Sequence, residues 1–162
     1  ESALLEQLVN KYSIKTPTIM ESDTKIDAHE AQITLNDRGS RIFDYDDGPV
    51  TVKGLSITVS IPFQGNSQLF QCTPSSYTLS GTPDADVRDG KIILSYETTE
   101  KDADKIKGLW VNDIRVIKEN LGWIERDAIN YNNSLTNNIK TMLNKRKKEA
   151  NESQSLIDKL KQ

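Results

Sequence analysis

The side chains best suited to catalysis or metal binding are few and widely spaced. His29 is the only histidine in the chain, and Asp27 and Glu30 lie close to it. A two-histidine metal site on a helix needs a second histidine four residues further on, and a strand directs neighbouring side chains to opposite faces. We therefore interpret His29 and its acidic neighbours as surface residues.

Two groups of acidic residues suggest metal binding, but each lacks a required ligand. A calcium loop after Asp44, Asp46 and Asp47 would need an oxygen ligand at the position of Gly48. The second group precedes a predicted strand, as in many nucleases, but the Glu of that strand is followed by two threonines instead of completing a Glu-x-Lys triplet. This second group consists of Asp84, Asp86, Asp89 and Glu97.

Other catalytic and cofactor motifs are missing from the sequence. One histidine and no glycine-framed serine leave no catalytic triad to assemble, and there is no glycine-rich phosphate loop. The single cysteine, Cys72, excludes an internal disulfide. No apolar run is long enough to span a membrane, and there is no signal peptide. We expect a cytoplasmic chain with no cofactor, no metal ion, no membrane association and no enzymatic activity of its own.

A single apolar stripe dominates the C-terminal third of the chain. Apolar residues recur at spacings of three and four from Ile106 to Leu143, which predicts one face of a long amphipathic helix. The helix should begin near Glu100 with Thr98 or Thr99 as its cap. Trp110 and Trp123 lie on or beside the stripe and are predicted to anchor the core. Gly122 is the expected kink, and a break there into two antiparallel helices is the alternative.

The length of this helix predicts that something must cover its far half. Over residues 100–150 it would measure roughly 75 Å at about 1.5 Å per residue, which exceeds a small sheet. We expect the far half to meet another chain, another domain or a returning helix, which the amphipathic segment 155–160 could begin. We call the residues concerned the distal stripe: Tyr131, Leu135, Ile139, Met142 and Leu143.

The rest of the chain shows alternating patterns and turn signals. They predict an α+β fold with a short N-terminal helix, a mainly antiparallel sheet of about five strands, and a very long C-terminal helix or kinked helix pair. Residues 1–99 would form the helix and the antiparallel sheet, and residues 100–162 the helical extension. The predicted elements are a helix over 2–11, strands over 29–35, 50–63 with a bulge or bend at Gly54, 69–73, 77–79 and 91–98, and turns at 36–39, 46–49 and Asp89-Gly90.

A cluster of positive charge follows the distal stripe. A net charge of −3 gives the whole chain no general attraction to nucleic acid. Contacts to phosphate near a helix end remain physically reasonable for a local basic cluster. The alternative is a solvated cluster that favours the negative end of the helix dipole. The residues concerned are Lys145, Arg146, Lys147 and Lys148.

A series of short motifs resembles a known bacterial family. In order they are Ile42-Phe43-Asp44, Val52-Lys53-Gly54, Ile61-Pro62-Phe63-Gln64-Gly65, Leu69-Phe70, Pro74-Ser75-Ser76-Tyr77-Thr78-Leu79 and Val87-Arg88-Asp89-Gly90. They resemble the N-terminal region of two-part proteins whose C-terminal part is a restriction-endonuclease-like domain of the PD-(D/E)XK type. The helix with Trp123, Asp127 and Tyr131-Asn132 is similar to the end of that region, and the resemblance covers residues 5–150.

The resemblance implies an accessory role rather than a reaction. Nuclease residues of such proteins would lie beyond residue 162, so none is carried onto this chain, which we expect to be a fragment. The implied function is a non-catalytic domain that mediates self-association or positions the nuclease domain of the same parent chain. The alternative is a nucleic-acid-binding or sensor module that uses the basic helix end.

Overall fold

The chain folds as a short helix, an antiparallel sheet and a long helix, as predicted. The computed structural model describes residues 2–35, 50–77 and 81–161. Several predicted features therefore lie outside the described residues: the turns at 36–39 and 46–49, the acidic group Asp44, Asp46 and Asp47, and the end of the 77–79 strand. The elements are α1 (Ser2–Tyr12), β1 (Thr18–Ile19), β2 (Lys25–Leu35), β3 (Val50–Gln64), β4 (Ala85–Arg88), β5 (Lys91–Thr98) and α2 (Ala103–Leu160).

Strand β3 is the centre of the sheet. It pairs antiparallel with β2, β5 and the two-residue β1, and β4 pairs with β5. The β3 side chains alternate, and every second one from Ile57 to Phe63 is buried. These apolar residues form the core with two from β5 and two from α2: Ile57, Val59, Ile61, Phe63, Ile92, Leu94, Ile106 and Trp110.

The predicted bulge at Gly54 is absent from the described pairing. Gly54 lies opposite Ala31, and the register with β2 continues without an inserted residue on either side. The glycine is needed for space instead, because a Cβ there would stand 2.6 Å from the Thr98 carbonyl oxygen and closer still to the end of the Ile33 side chain. Because the register is unbroken, Val52 and Gly54 lie on one face of the sheet and Leu55 and Ile57 on the other, so the slip marks a change of the apolar face.

The predicted hairpin turn at Asp89-Gly90 is confirmed. It joins β4 to β5, with Arg88 opposite Lys91. Asp89 and Gly90 have φ angles of 51° and 70°. Two consecutive positive φ angles belong to the type I′ turn, whose twist matches that of the strands it connects.

Two strand predictions need correction. The predicted strand over 29–35 begins earlier, at Lys25. The predicted strand over 69–73 is wrong, because Ser67–Gln71 forms a 3₁₀ helix. The Asn66 side chain caps this turn by accepting a hydrogen bond from the Gln68 N–H, a local bond that competes with strand formation.

Helix α2 is continuous through Gly122, as the main prediction had it, and the alternative of two antiparallel helices does not form. It has 58 residues, or roughly 87 Å at about 1.5 Å per residue. Leu121 and Ile124, on either side of the glycine, are buried and support the helix there. The helix starts at Ala103 rather than near Glu100, and its cap is Asp102, which accepts hydrogen bonds from the N–H groups of Asp104 and Lys105. Trp110 is buried in the core, and Trp123 is half-buried.

Helix α1 packs against the far half of α2. Its apolar face, Leu5, Leu8 and Val9, is half-buried. Opposite it on α2, Leu135 and Ile139 are only 5% and 8% exposed. The part of α2 around Leu135 and Ile139 is thus covered within the same chain. The segment 155–160 is the last part of α2 and does not begin a returning helix.

Candidate functional site

Polar side chains on α2 make four contacts that tie three other segments to the helix. Asp113 accepts a hydrogen bond from Tyr96 of β5, Lys118 forms an ion pair with Glu21, Asp127 holds Ser75, and Asn132 holds Ile14. We call these four contacts the tethers. Together they attach β5, the N-terminal segment and the loop after the 3₁₀ helix to α2.

The Asn132 tether holds the segment that follows α1. Its amide Oδ1 accepts from the Ile14 N–H at 2.9 Å, and its Nδ2 donates to the Ile14 carbonyl at 2.8 Å. A side-chain amide that satisfies both polar groups of one residue fixes the backbone position as a strand partner would. The N-terminal segment therefore runs along α2, with α1 near Lys140 and Leu143 and Glu21 near Lys118.

The Asp127 tether is a double hydrogen bond. The Ser75 hydroxyl donates to Oδ1 at 2.5 Å, and the Ser75 backbone N–H donates to Oδ2 at 2.8 Å. The hydroxyl bond first, and then the backbone bond, lower the pKa of the Asp127 carboxyl. The ionised carboxylate is therefore the form that holds the loop.

The Tyr96 tether, like the Asn132 tether, is part-buried. The phenol donates to Oδ2 of Asp113 at 2.6 Å. Burial, and then the hydrogen bond and charge of Asp113, raise the pKa of the Tyr96 phenol. A phenol kept protonated beside a carboxylate acts as a fixed donor that locks β5 to α2.

The distal stripe is divided between buried and exposed residues. Leu135 and Ile139 are buried, and Leu143 is half-buried beside α1. Tyr131 and Met142 are 40% and 62% exposed. With α1 in place, only the last two could contribute fully to an outside contact.

The part of α2 beyond the distal stripe is exposed along its whole length. We call residues Asn144–Lys161 the tail, and every residue in it is exposed. Between Lys145 and Lys161, six basic side chains outnumber three acidic ones. Its last two turns carry three apolar side chains, which are 59%, 43% and 78% exposed: Leu156, Ile157 and Leu160.

The four predicted nucleic-acid contacts all lie on the tail. Lys145 lies 4.0 Å from Glu149, and Lys148 lies 3.8 Å from Glu152, one turn further along in each case. Such exposed pairs are weak and easily exchanged for other partners. The cluster therefore combines strong positive charge with access from solvent.

The other acidic and histidine side chains do not converge on one site. Asp86 lies opposite Ile93 and forms an ion pair with Arg88 at 3.2 Å, whereas Glu97 is four residues along β5 from Ile93. His29 lies on the exposed β2 opposite Ser56. Within residues 2–35, 50–77 and 81–161, no three His, Cys, Asp or Glu side chains are placed to hold a metal ion.

One cavity of about 230 Å³ lies between α2 and the β4–β5 hairpin. Its lining is mainly apolar and includes Phe70, Val87, Leu121 and Ile124, with the Asn120 amide at one side. The Cys72 thiol is exposed and donates to the Gln68 carbonyl at 3.5 Å. None of the described residues that line the cavity is charged, and we interpret the cavity as a gap in the packing.

Comparison with known proteins assigns the chain to no family. No protein-family model, no curated protein and no solved structure matches it. Among the residues that the structure describes, no helix combines the length and apolar character needed to cross a membrane. Function is therefore inferred from the tethers, the tail and the sheet edges.

Proposed function

We propose that this chain is a non-catalytic accessory domain that positions another protein domain through the tail of α2. The main support for this proposal is the contrast in burial between the two parts of α2. Up to Leu143, α2 buries most of its apolar stripe against the sheet and α1, with Tyr131 and Met142 exposed, whereas from Asn144 onward every residue is exposed. A helical arm with three apolar side chains at its end is suited to dock another domain.

The tethers support this role because they fix the direction of the arm. Four polar contacts distributed from Asp113 to Asn132 attach separate parts of the chain to one helix. The rotation of α2 relative to the sheet is thereby constrained along its length. A domain bound at Leu160 would keep a defined position relative to the sheet.

The resemblance in the sequence supports one class of partner. The motifs similar to the N-terminal region of restriction-endonuclease-like proteins favour a bacterial, cytoplasmic parent in which the bound domain is a nuclease. The coverage of Leu135 and Ile139 weighs against self-association through the distal stripe. Positioning is therefore the favoured form of the accessory role.

The test compares the isolated chain with the complete product of its reading frame. Every residue of the tail is exposed in the isolated chain, so amides over residues 150–161 should exchange rapidly with solvent. In the complete product, docking should slow this exchange at least tenfold. Changing Leu156, Ile157 and Leu160 together to Gln should restore the rapid exchange.

The matched control changes residues of the tail that carry no apolar contact. Asn151→Ala, Ser155→Ala and Lys159→Ala should leave the protection in the complete product intact. Equal exchange rates in the isolated chain and the complete product, or a reading frame that encodes no further domain, would refute the proposal.

A second candidate is nucleic-acid binding by the tail. The observation that favours it is the separation of charge: the whole chain has a net charge of −3, the segment from Lys145 to Lys161 is basic, and the remainder is correspondingly acidic. A basic helix that projects from an acidic body can reach phosphates without repulsion from the rest of the chain.

This candidate predicts salt-dependent affinity for duplex DNA. Fluorescence anisotropy should show a dissociation constant that rises steeply between 50 and 200 mM salt, as counterion release requires. Changing Lys145, Arg146, Lys147 and Lys148 to Gln should weaken binding and reduce the salt slope. The control changes four exposed lysines elsewhere to Gln: Lys25, Lys53, Lys91 and Lys101. Equal loss in both variants, or no binding at low salt, would eliminate the candidate.

A further inference from the structure

Strand β2 leaves one long edge of the sheet open. It pairs with β3 on one side, and no other described strand pairs with it. Residues 25–30 are all exposed, including Ile26, which is 52% exposed. Because residues on both faces of this stretch are exposed, α2 does not cover it. A second chain could approach this edge without meeting the helix.

The open edge carries one kind of protection, the charged side chains of Lys25, Asp27 and Glu30, but their signs are mixed and can therefore be matched by a second strand. Proline and β-bulges are common devices against pairing with another chain. Residues 25–31 contain no proline, and their register with β3 is uninterrupted. The unpaired N–H and C=O groups of such an edge form a template for another strand.

We infer that β2 pairs antiparallel with β2 of a second copy of this chain, centred on Ala28, to form one continuous sheet. A two-fold axis perpendicular to the sheet leaves every side chain on the same face of the sheet in both copies. Two residues that lie opposite each other must therefore both have odd numbers or both have even numbers. The centre must therefore fall on a residue. The inference depends on β2 alone and not on the tail.

Charge and strand length together select Ala28 as that centre. With Ala28 opposite itself, Asp27 of each copy lies opposite His29 of the other, and the imidazole N–H can donate to the carboxylate twice by symmetry. A centre on Asp27 would place two carboxylates opposite each other. A centre on His29 would put Asp27 opposite Ala31 and lose both contacts. A centre on Ile26 would also oppose unlike charges, Lys25 and Asp27, but β2 begins at Lys25, so only residues 25–27 of each copy could pair.

Ala28 also suits a position on the axis. Its side chain is a single methyl group that would lie opposite the methyl group of Ala28 in the second copy, so no bulky side chain hinders the approach of the strands. The exposed side chain of Ile26 would lie opposite Glu30 and beside Ala28 of the second copy, which covers part of its apolar surface. This register therefore provides a partner both for the unlike side chains Asp27 and His29 and for the exposed apolar side chain of Ile26.

The first experiment measures the oligomeric state by sedimentation of charge variants. The unmodified chain should be dimeric at about 100 µM. His29→Asp should weaken the dimer roughly tenfold, because it places carboxylates opposite each other twice. The exchange variant Asp27→His/His29→Asp should recover the dimer. Ser95→Asp is the control. It adds the same charge on the face of the sheet that carries Asp27, but on β5 rather than on the open edge, and it should leave the dimer intact.

The second experiment tests the register by cross-linking. In a Cys72→Ser background, Ala28→Cys places two thiols opposite each other, with a Cα separation within the range of a disulfide. Mild oxidation should convert the chain to a covalent dimer. Glu30→Cys should remain uncross-linked, because its two copies would lie four strand positions apart. A monomeric unmodified chain, an undiminished His29→Asp dimer, or preferential cross-linking of Glu30→Cys would each overturn the inference.

Discussion

Replacing Trp110 with alanine should lower the free energy of unfolding by about 3–5 kcal/mol. Trp110 is 9% exposed and belongs to the core shared by α2, β3 and β5. Its removal would leave the largest cavity that one substitution can create between α2 and the sheet. The sheet cannot close on the gap, because the Tyr96–Asp113 tether holds β5 to α2 one turn further along.

Urea unfolding followed by circular dichroism gives the measurement. Trp123→Ala is the matched control, since Trp123 lies on the same helix but is only half-buried. Its loss should be clearly smaller than that of Trp110→Ala. A loss below about 1 kcal/mol for Trp110→Ala, or equal losses at the two positions, would contradict this packing of α2 on the sheet.

Replacing Gly54 with alanine should destabilise the fold by about 1–3 kcal/mol, although it adds only one methyl group. The new Cβ would stand 2.6 Å from the Thr98 carbonyl oxygen, which belongs to the backbone and cannot rotate away. It would also press on Ile33, which is 7% exposed. Ile33→Val removes the nearest side-chain atom, so it should relieve part of the loss in the double variant.

The control for Gly54 is a glycine with free space around it. At Gly122, an added Cβ meets nothing within 4 Å. Gly122→Ala should therefore stabilise α2 by up to about 1 kcal/mol, since alanine is the better helix former. The two Gly→Ala substitutions are thus expected to have opposite signs. Thermal unfolding that gives the same sign for both would contradict the close approach at Gly54.

The elements of the fold were predictable where a local pattern determined them. The stripe from Ile106 to Leu143 predicts a helix, alternation from Val50 to Phe63 predicts the central strand, and Asp89-Gly90 predicts the hairpin. The Asn66 cap was not recognised, because one side-chain hydrogen bond outweighed the apolar residues after it. The start of α2 at Ala103 was not predicted for a similar reason, because the Asp102 side chain caps the helix in place of Thr98 or Thr99.

The contacts between distant segments were not predictable from local patterns. The stripe shows that Leu135 and Ile139 must be buried, but not that α1 would cover them. Asn132 bonds to a backbone 118 residues away, and nothing in its neighbourhood indicates that partner. Asp127 and Asn132 did appear in the motif resemblance, without a structural role. The open edge of β2 depends on how the whole sheet is ordered.

The single uninterrupted helix makes the domain a lever. At about 1.5 Å per residue, Leu160 lies roughly 75 Å along α2 from Trp110. A tilt of about 10° at the sheet would therefore sweep the far end through roughly 13 Å over that length. Small adjustments of packing around Trp110 would be magnified into displacements as large as a helix diameter. The four tethers must therefore hold α2 steady against the sheet if a domain at the tip is to keep its position.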